Sequence, residues 1–245
     1  MIRTTLKLVK DLKADVLLTV ELGKFLLKQV NAPSIQSLFA PAPLTLTIPS
    51  QGFSFPIHSM NLAEIQIPFM RVDFGKLYCK NKGAMVSFLK QLKSKEPEGK
   101  DIQIWFAPMD LQIKQGVVDV ERTEILLDKT YDVALWGEVN LPNNSVDMIF
   151  GLTAQALREA FGIQELPDSY VLKIPIQGTL QNIKVKSGTA TSKITALLLW
   201  QSKALSDAIG PFGGLLKKVI PPPGGDGKAP APKTPYPWQE NSKKR

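Results

Sequence analysis

Apolar and polar side chains alternate along a series of short segments in the second half of the chain. The alternation predicts strands at residues 101–106, 109–113, 117–127, 131–139, 146–152 and 170–177. Links of only a few residues join the first five strands, whereas a parallel crossover needs about a dozen residues or more. We therefore expect an antiparallel meander, then a short helical stretch at 153–161 and a last strand that returns to the same sheet.

These strands place aliphatic or aromatic side chains at every second position, on one face of the predicted sheet. The candidate lining residues are Ile102, Ile104, Val133, Leu135, Val146, Met148, Phe150, Ile174 and Ile176. A sheet covers such a face with a second layer, with helices or with a ligand. Only about three helices accompany some ten strands, so we expect part of the face to form an open apolar groove. A β-sandwich whose two sheets cover each other is the alternative.

Three segments carry helical periodicity instead. Apolar positions 17, 18, 22, 25, 26 and 30 share one stripe of an amphipathic helix within residues 14–30, which we expect to end before Pro33. We interpret it as packing on the core rather than lying on a membrane surface. Similar stripes predict helices at 83–95 and at 189–209, the latter stopped by Gly210-Pro211.

Alternation is also present between these helices, but prolines interrupt it. Segments 44–48 and 53–57 are joined by a turn-forming link, which predicts a hairpin, and shorter alternating runs follow at 64–67 and 71–74. The prolines in and beside these strands are Pro49, Pro56 and Pro68. Since proline cannot donate to a ladder, we place these strands at sheet edges or at bulges.

Together these patterns predict an α+β protein that is mostly β, with a few helices. Its core is a long, twisted antiparallel sheet with an open apolar groove, and the helices pack on the sheet or cap it. We expect residues 1–216 to form one elongated β-rich domain. Residues 217–245 are rich in Pro and Gly and predict a disordered basic tail. Tyr236 and Trp238 would suit a short peptide ligand for a partner, although a solvated terminus is the favoured interpretation.

Positive charge is concentrated in that tail. The chain carries a formal net charge of +8, and residues 217–245, with seven basic and two acidic side chains, contribute +5. The other 216 residues hold 23 basic and 20 acidic side chains, a surplus of three. A nucleic-acid-binding protein carries its basic side chains along a folded face, so this distribution argues against a nucleic-acid partner.

Candidate catalytic chemistry is sparse. The chain has one histidine, His58, and one cysteine, Cys79, which leaves no His/Cys metal site and predicts no cofactor. We interpret His58 as an exposed turn residue and Cys79 as a half-buried strand residue. The carboxylates Asp119, Glu121, Glu124, Asp132 and Glu138 occupy polar positions of alternating strands, as on the solvated face of a sheet. No phosphate-binding or nucleophile motif is present, so we predict that the protein is not an enzyme.

Three motifs follow one another between residues 110 and 185. They are Lys114-Gln115-Gly116-Val117-Val118, Leu135-Trp136-Gly137-Glu138-Val139-Asn140-Leu141 and Ile174-Pro175-Ile176-Gln177-Gly178-Thr179-Leu180. In this order they resemble the C-terminal part of the AsmA-like family, the bacterial relatives of AsmA and TamB. The chain has Asn182-Ile183 where the family pattern has Asn-Pro.

The resemblance implies a twisted sheet with a hydrophobic groove, a location in the periplasm or cell envelope, and phospholipid as the ligand. It carries over no catalytic residue. Family members usually begin with a membrane-spanning helix, but charged residues interrupt the run 14–30, and neither a spanning segment nor a signal peptide is predicted. We therefore expect a non-enzymatic lipid-binding or lipid-transfer protein of outer-membrane biogenesis. The alternative is an assembly module that docks membrane-associated envelope proteins through its sheet edges and tail.

Overall fold

The computed structural model describes residues 4–29, 38–57, 61–80, 101–201 and 229–242. The helix predicted at 83–95, His58 and the final part of the helix predicted at 189–209 lie outside these residues. Within them, the chain is mostly β with a few helices, as the alternation predicts.

Fourteen strands and four α-helices lie in the described residues. The strands are β1 (Thr5–Leu6), β2 (Leu12–Val16), β3 (Leu38–Phe39), β4 (Leu44–Ile48), β5 (Phe55–Pro56), β6 (Gln66–Asp73), β7 (Lys76–Lys80), β8 (Asp101–Phe106), β9 (Met109–Lys114), β10 (Val117–Leu127), β11 (Tyr131–Asn140), β12 (Ser145–Thr153), β13 (Val171–Thr179) and β14 (Asn182–Val185). The helices are α1 (Val20–Gln29), α2 (Ala154–Phe161), α3 (Ser187–Gln201) and α4 (Pro237–Ser242), with a 3₁₀ turn at Leu62–Glu64.

Twelve of these strands form one antiparallel sheet. On one side of β10 the strands β11 to β14 follow in chain order, so the predicted meander is confirmed from β9 onward. It is wrong for β8 and β9, which both pair with β10 and not with each other. On its other side β10 pairs with β8 near one end and with β9 near the other. The sheet thus divides into the branches β8-β7-β3 and β9-β6-β4-β2. The strands β1 and β5 form a separate pair.

In both branches, long strands are interrupted at the same level of the sheet, at Pro108 in one strand and at Gly75 in its neighbour. We call this level the crease. Residues 101–114 face β10 in one register, because Ile104 lies opposite Leu127 and Lys114 opposite Val117. The pairing breaks at Pro108, which has no N–H to donate. The neighbouring strand breaks at Gly75, where φ is 56°. Hydrogen bonds from Phe106 N to Gly75 O and from Ala107 N to Glu124 O, each 2.9 Å, hold the strands together there.

Alternation slips by one residue at the crease. In residues 101–114, positions 102, 104 and 106 join the apolar core before the crease, and positions 109, 111 and 113 join it afterwards. Strand β10 shows the same slip. Its apolar positions are 118 and 120 on one side of the crease and 125 and 127 on the other, and its register against β11 also shifts there. A slip of one residue in a single strand would send its apolar side chains to the opposite face. Because neighbouring strands slip at the same level, the apolar face stays continuous.

The apolar face carries two clusters of side chains, one on each side of the crease. The first cluster combines residues of β7, β8, β10, β11, β12 and β13 with side chains of α1, α2 and α3. The second cluster combines residues of β4, β6, β9, β10 and β12 with Phe53 and Ile65. Phe74, Phe106 and Leu135 pack against both clusters and connect them.

Two glycines permit close approach between strands. Gly137 and Gly178 have φ values of 130° and 137°, a conformation that side chains with a Cβ rarely adopt. A Cβ on Gly137 would lie 2.5 Å from the carbonyl oxygen of Asp147 on the next strand. A Cβ on Gly178 would overlap the carbonyl oxygen of Asn182. Both positions belong to the motifs singled out in the sequence.

The hairpin predicted for residues 44–57 is wrong. Strand β4 pairs with β2 and β6, whereas β5 pairs with β1. The intervening Phe53 is buried in the second cluster. The proline prediction holds for Pro68, which lies inside β6 where the register against β9 shifts.

The predicted N-terminal helix begins later than expected. Residues Leu12–Val16 form an edge strand against β4, and the helix covers Val20–Gln29. Leu18, just before the helix, is buried in the first cluster and Leu22 packs against it. Leu18 and Leu22 therefore pack on the core, as the sequence predicts, whereas Leu17 is 55% exposed.

Candidate functional site

The nine predicted lining residues lie on one face of the sheet but divide between the two clusters. Four are buried core of the first cluster at 0–5% exposure: Ile102, Ile104, Val133 and Ile174. Two are buried in the second cluster at 6% and 8% exposure: Val146 and Met148. Three are half-buried, with Leu135 against both clusters, Phe150 against the first and Ile176 against the second.

Helices account for the burial of the first cluster. Ala154, Ala156 and Leu157 of α2 and Ala190 and Leu197 of α3 belong to it and are at most 3% exposed. The prediction of an open groove is therefore wrong for Ile102, Ile104, Val133 and Ile174, since helical side chains pack in the same cluster as these residues.

The second cluster has a different cover. None of the four described α-helices contributes a side chain to it. Its apolar side chains include Met70, Met109 and Met148, whereas the first cluster includes no methionine among the described residues. Met is unbranched and adapts to irregular apolar partners. Leu8, Phe53, Phe55 and Ile65 pack on this part of the face instead, and its core side chains are 5–9% exposed. The half-buried side chains at its margin, including Leu135 and Ile176, are the candidate apolar binding surface.

A second candidate lies on the opposite, polar face of the sheet. Glu124 and Asp132 occupy polar positions of β10 and β11 but are only 1% and 8% exposed. Gln103, Asp110 and Arg122 are buried as well, at 8%, 4% and 8%. The expectation of a solvated face is wrong for Glu124 and Asp132, because the C-terminal segment lies against them.

The covering segment is residues 229–242, which we call the strap. The sequence assigns these residues to a disordered tail, but the structure places them on the polar face near the crease. Arg122 Nη1 donates to the carbonyl oxygen of Pro230 at 2.5 Å. Lys233 Nζ lies 2.6 Å from Asp110 Oδ2 and 2.5 Å from Glu121 Oε2. A local sequence pattern does not reveal contacts between residues more than 100 positions apart. The one sequence signal for these contacts is the positive charge of Lys233, which suits an acidic partner.

Aromatic rings complete the strap's contacts. Trp238 packs against Trp105 of β8 with ring centroids 5.8 Å apart, and Tyr236 packs against Trp238 at 5.2 Å. The ammonium group of Lys76 lies 4.2 Å from the centre of the Trp105 ring, a cation–π distance. We call the surface formed by Asp110, Glu121, Arg122, Glu124, Asp132 and Trp105 the strap cleft.

The cleft holds its charges in a dense network. Arg71 binds both carboxylate oxygens of Asp110, at 2.6 and 2.8 Å, and this hydrogen bonding lowers the pKa of Asp110. Arg122 Nε donates to Glu124 Oε1 at 2.6 Å. Burial nevertheless raises the pKa of Glu124, although Arg122 opposes the shift.

Asp132 lacks a basic partner of this kind. Burial raises its pKa to about 6, with the charges of Glu159 and Glu124 adding to the effect, while the Trp238 side chain opposes it. Burial also raises the pKa of Tyr236 to about 12. Two of the carboxyl groups beneath the strap, Glu124 and Asp132, therefore resist ionisation, whereas Asp110, which binds Lys233, ionises more readily than usual.

Cys79 is not part of either candidate site. It is 2% exposed in the first cluster, and burial together with the charge of Asp101 raises its pKa to about 11. Because the thiolate is the reactive form, this thiol is an inert core residue. Its placement in a strand is as the sequence predicts, but its burial is more complete.

Comparison with protein-family models, with curated proteins and with solved structures finds no match to this chain. In the part of the chain that the structure describes, each helix is too short or too polar to cross a bilayer. The acidic residues of the strap cleft do not form a metal-binding group, nor do any other His, Cys, Asp or Glu side chains among the described residues.

Proposed function

We propose that the protein binds lipid acyl chains along the second cluster and acts without catalysis. The observation that carries the proposal is the continuation of the apolar face past the part that helices cover. Beyond the crease, that face extends over β4, β6, β9, β10 and β12 without a side chain from any described helix.

The chemistry of the second cluster suits an acyl chain. Burial of each CH₂ group contributes up to about 0.8 kcal/mol, and the contact requires no directional partner. Met70, Met109 and Met148 supply flexible, polarisable contacts that tolerate chains of different shape. A phospholipid is the ligand we propose, in line with the AsmA-like resemblance of residues 110–185. A location in the cell envelope is part of the same proposal.

The matched pair Ile176→Asp and Ile149→Asp tests this function. Both residues are half-buried on neighbouring strands, but Ile176 packs against the second cluster and Ile149 belongs to neither cluster. Transfer of a fluorescent phospholipid from vesicles to the purified chain measures binding, and native mass spectrometry of the chain purified from cells measures retained lipid. We expect Ile176→Asp to lose both signals and Ile149→Asp to keep them. Equal behaviour of the two variants, or no lipid on the unaltered chain, would contradict the proposal.

A second candidate function is docking to envelope proteins through the sheet edge. Strand β14 pairs only with β13 among the described strands, and all four of its residues are exposed. Ile183 and Val185 are 41% and 50% exposed. Such an edge offers backbone groups and apolar side chains for another strand to pair with. A photo-crosslinker placed at Val185 should then capture a defined protein in cells, and one placed at the exposed Glu138 should not.

A further inference from the structure

The strap lies on the polar face of the sheet, outside both apolar clusters. No residue from 229 to 239 is fully buried, and none belongs to either apolar cluster. Its contacts include the ion pairs of Lys233, the hydrogen bond to the carbonyl of Pro230 and the ring contacts of Trp238. The Lys233 backbone and the Trp238 side chain also interact with Glu124 and Asp132. Both cores are therefore complete without it.

The surface beneath the strap, in contrast, has the buried polar side chains of a binding site. Four polar side chains of the strap cleft, Asp110, Arg122, Glu124 and Asp132, are buried there, on a face where strand residues are ordinarily solvated. Glu124 Oε2, Asp132 Oδ1 and Trp238 Nε1 are buried without a hydrogen bond of good geometry. The Trp238 side chain still favours the ionised form of Asp132, but buried groups without a well-aligned partner keep part of their desolvation cost. The strap thus occupies an acidic and aromatic cleft but leaves some of its buried polar atoms without a well-aligned hydrogen-bond partner.

We infer that the strap cleft is a peptide-binding site, and that the strap of a second copy of this chain can replace the resident one. The recognition elements are spaced along the segment. A backbone carbonyl at 230 accepts from Arg122, a lysine at 233 bridges Asp110 and Glu121, and an indole at 238 packs on Trp105. A Pro-rich segment that carries a lysine and an indole in this order is the kind of ligand that the cleft fits.

The test uses the full chain with its own strap weakened by Lys233→Ala and Trp238→Ala. A fluorescein-labelled peptide with the sequence of residues 229–242 is titrated into it, and binding is measured by fluorescence anisotropy. We expect saturable binding of one peptide per chain. The unaltered chain should bind the peptide about tenfold or more weakly, because its tethered strap competes at an effective concentration on the order of millimolar.

Matched controls identify the site. Glu121→Gln in the chain removes one partner of Lys233 and should weaken the peptide, whereas Glu138→Gln makes the same charge change at an exposed position of the next strand and should not. A peptide carrying Lys233→Ala should lose about tenfold in affinity, since charge-assisted hydrogen bonds are the strong ones. A peptide carrying Ala231→Ser, at an exposed position, should bind like the original.

Equal affinity for the weakened and unaltered chains would place the peptide elsewhere and overturn the inference, as would the absence of binding to either. Hydrogen exchange covers the case in which the double variant does not fold. With the unaltered chain and excess isotope-labelled peptide, the chain's own residues 229–242 should exchange faster because they are displaced. An unchanged exchange rate would show that the strap is a fixed part of the fold.

Discussion

The two apolar clusters lie on one face of one sheet, yet they are built differently. In the first, buried side chains such as Ile102, Val133 and Ile174 are 0% exposed, and three helices supply part of their surroundings. In the second, the buried side chains are 5–9% exposed, against 0–7% across the first, and no described helix takes part. The comparison shows that an alternating pattern identifies an apolar face but does not say whether that face is core or binding surface. Which of the two the face becomes depends on the side chains that pack against it from outside the sheet.

The largest difference between the clusters should appear in a pair of truncations on the same strand. Ile174→Ala removes a fully buried side chain under the helices and should lower the free energy of unfolding by about 3–4 kcal/mol. Ile176→Ala, two residues along on the same face and half-buried, should cost about 1–2 kcal/mol. Urea unfolding measures both. Equal costs would mean that the second cluster is as tightly packed as the first.

The crease between the clusters can be tested at Gly137. Gly137→Ala forces a Cβ toward the carbonyl oxygen of Asp147 at a φ of 130° and should destabilise the chain by about 2–3 kcal/mol. Gly188→Ala is the control, because a Cβ there meets nothing within 4 Å in helix α3. It should be neutral or stabilise by up to about 1 kcal/mol. Thermal unfolding distinguishes the two, and a harmless Gly137→Ala would refute the close approach.

A smaller effect concerns the polar face behind the first cluster. The pKa of Asp132 is raised from 3.8 to about 6, so the folded chain holds this proton more tightly than the unfolded chain. The resulting stabilisation is complete below about pH 4 and is lost as the pH rises through about 6. The free energy of unfolding should therefore increase by on the order of 1 kcal/mol from this group between pH 7 and pH 5.

Asp132→Asn removes that contribution. The variant should be at least as stable as the unaltered chain at pH 7, and its unfolding free energy should change less between pH 7 and pH 5. Glu124, whose pKa is raised in the same direction, remains in both chains. Parallel pH profiles for the two chains would show that Asp132 ionises normally.

The smallest effect is expected beyond the clusters, at the sheet edge. Val185→Lys changes a side chain that is 50% exposed and should alter stability by no more than about 0.5 kcal/mol. Urea unfolding should therefore give a midpoint close to that of the unaltered chain. A large loss would show that β14 is covered in solution and is not an edge.

The sequence predicts those features of the fold whose physical cause lies within a short segment of the chain. The strands from residue 101 to 177 and helix α2 follow from alternation and capping within each segment, and the structure confirms them. The pairing of β5 with β1 places Leu6 opposite Phe55, and no local pattern reveals a contact between residues so far apart in the chain. The strap is the extreme case, since Lys233 and Asp110 are 123 residues apart in the chain. For the candidate sites, the sequence identified the apolar face, whereas the strap cleft required the structure.

The crease also fixes where the chain tolerates changes in length. One residue removed at Ala107, or inserted beside it, would reverse the orientation of every side chain in β9 relative to β8 and would place Leu111 and Ile113 in water. One residue removed or inserted in the turn at 141–144 leaves the side chains of each strand on their present face of the sheet. Natural variants of this chain should therefore differ in length at the hairpin tips. They should keep a constant number of residues between positions 101 and 114, even where the identities of those residues diverge.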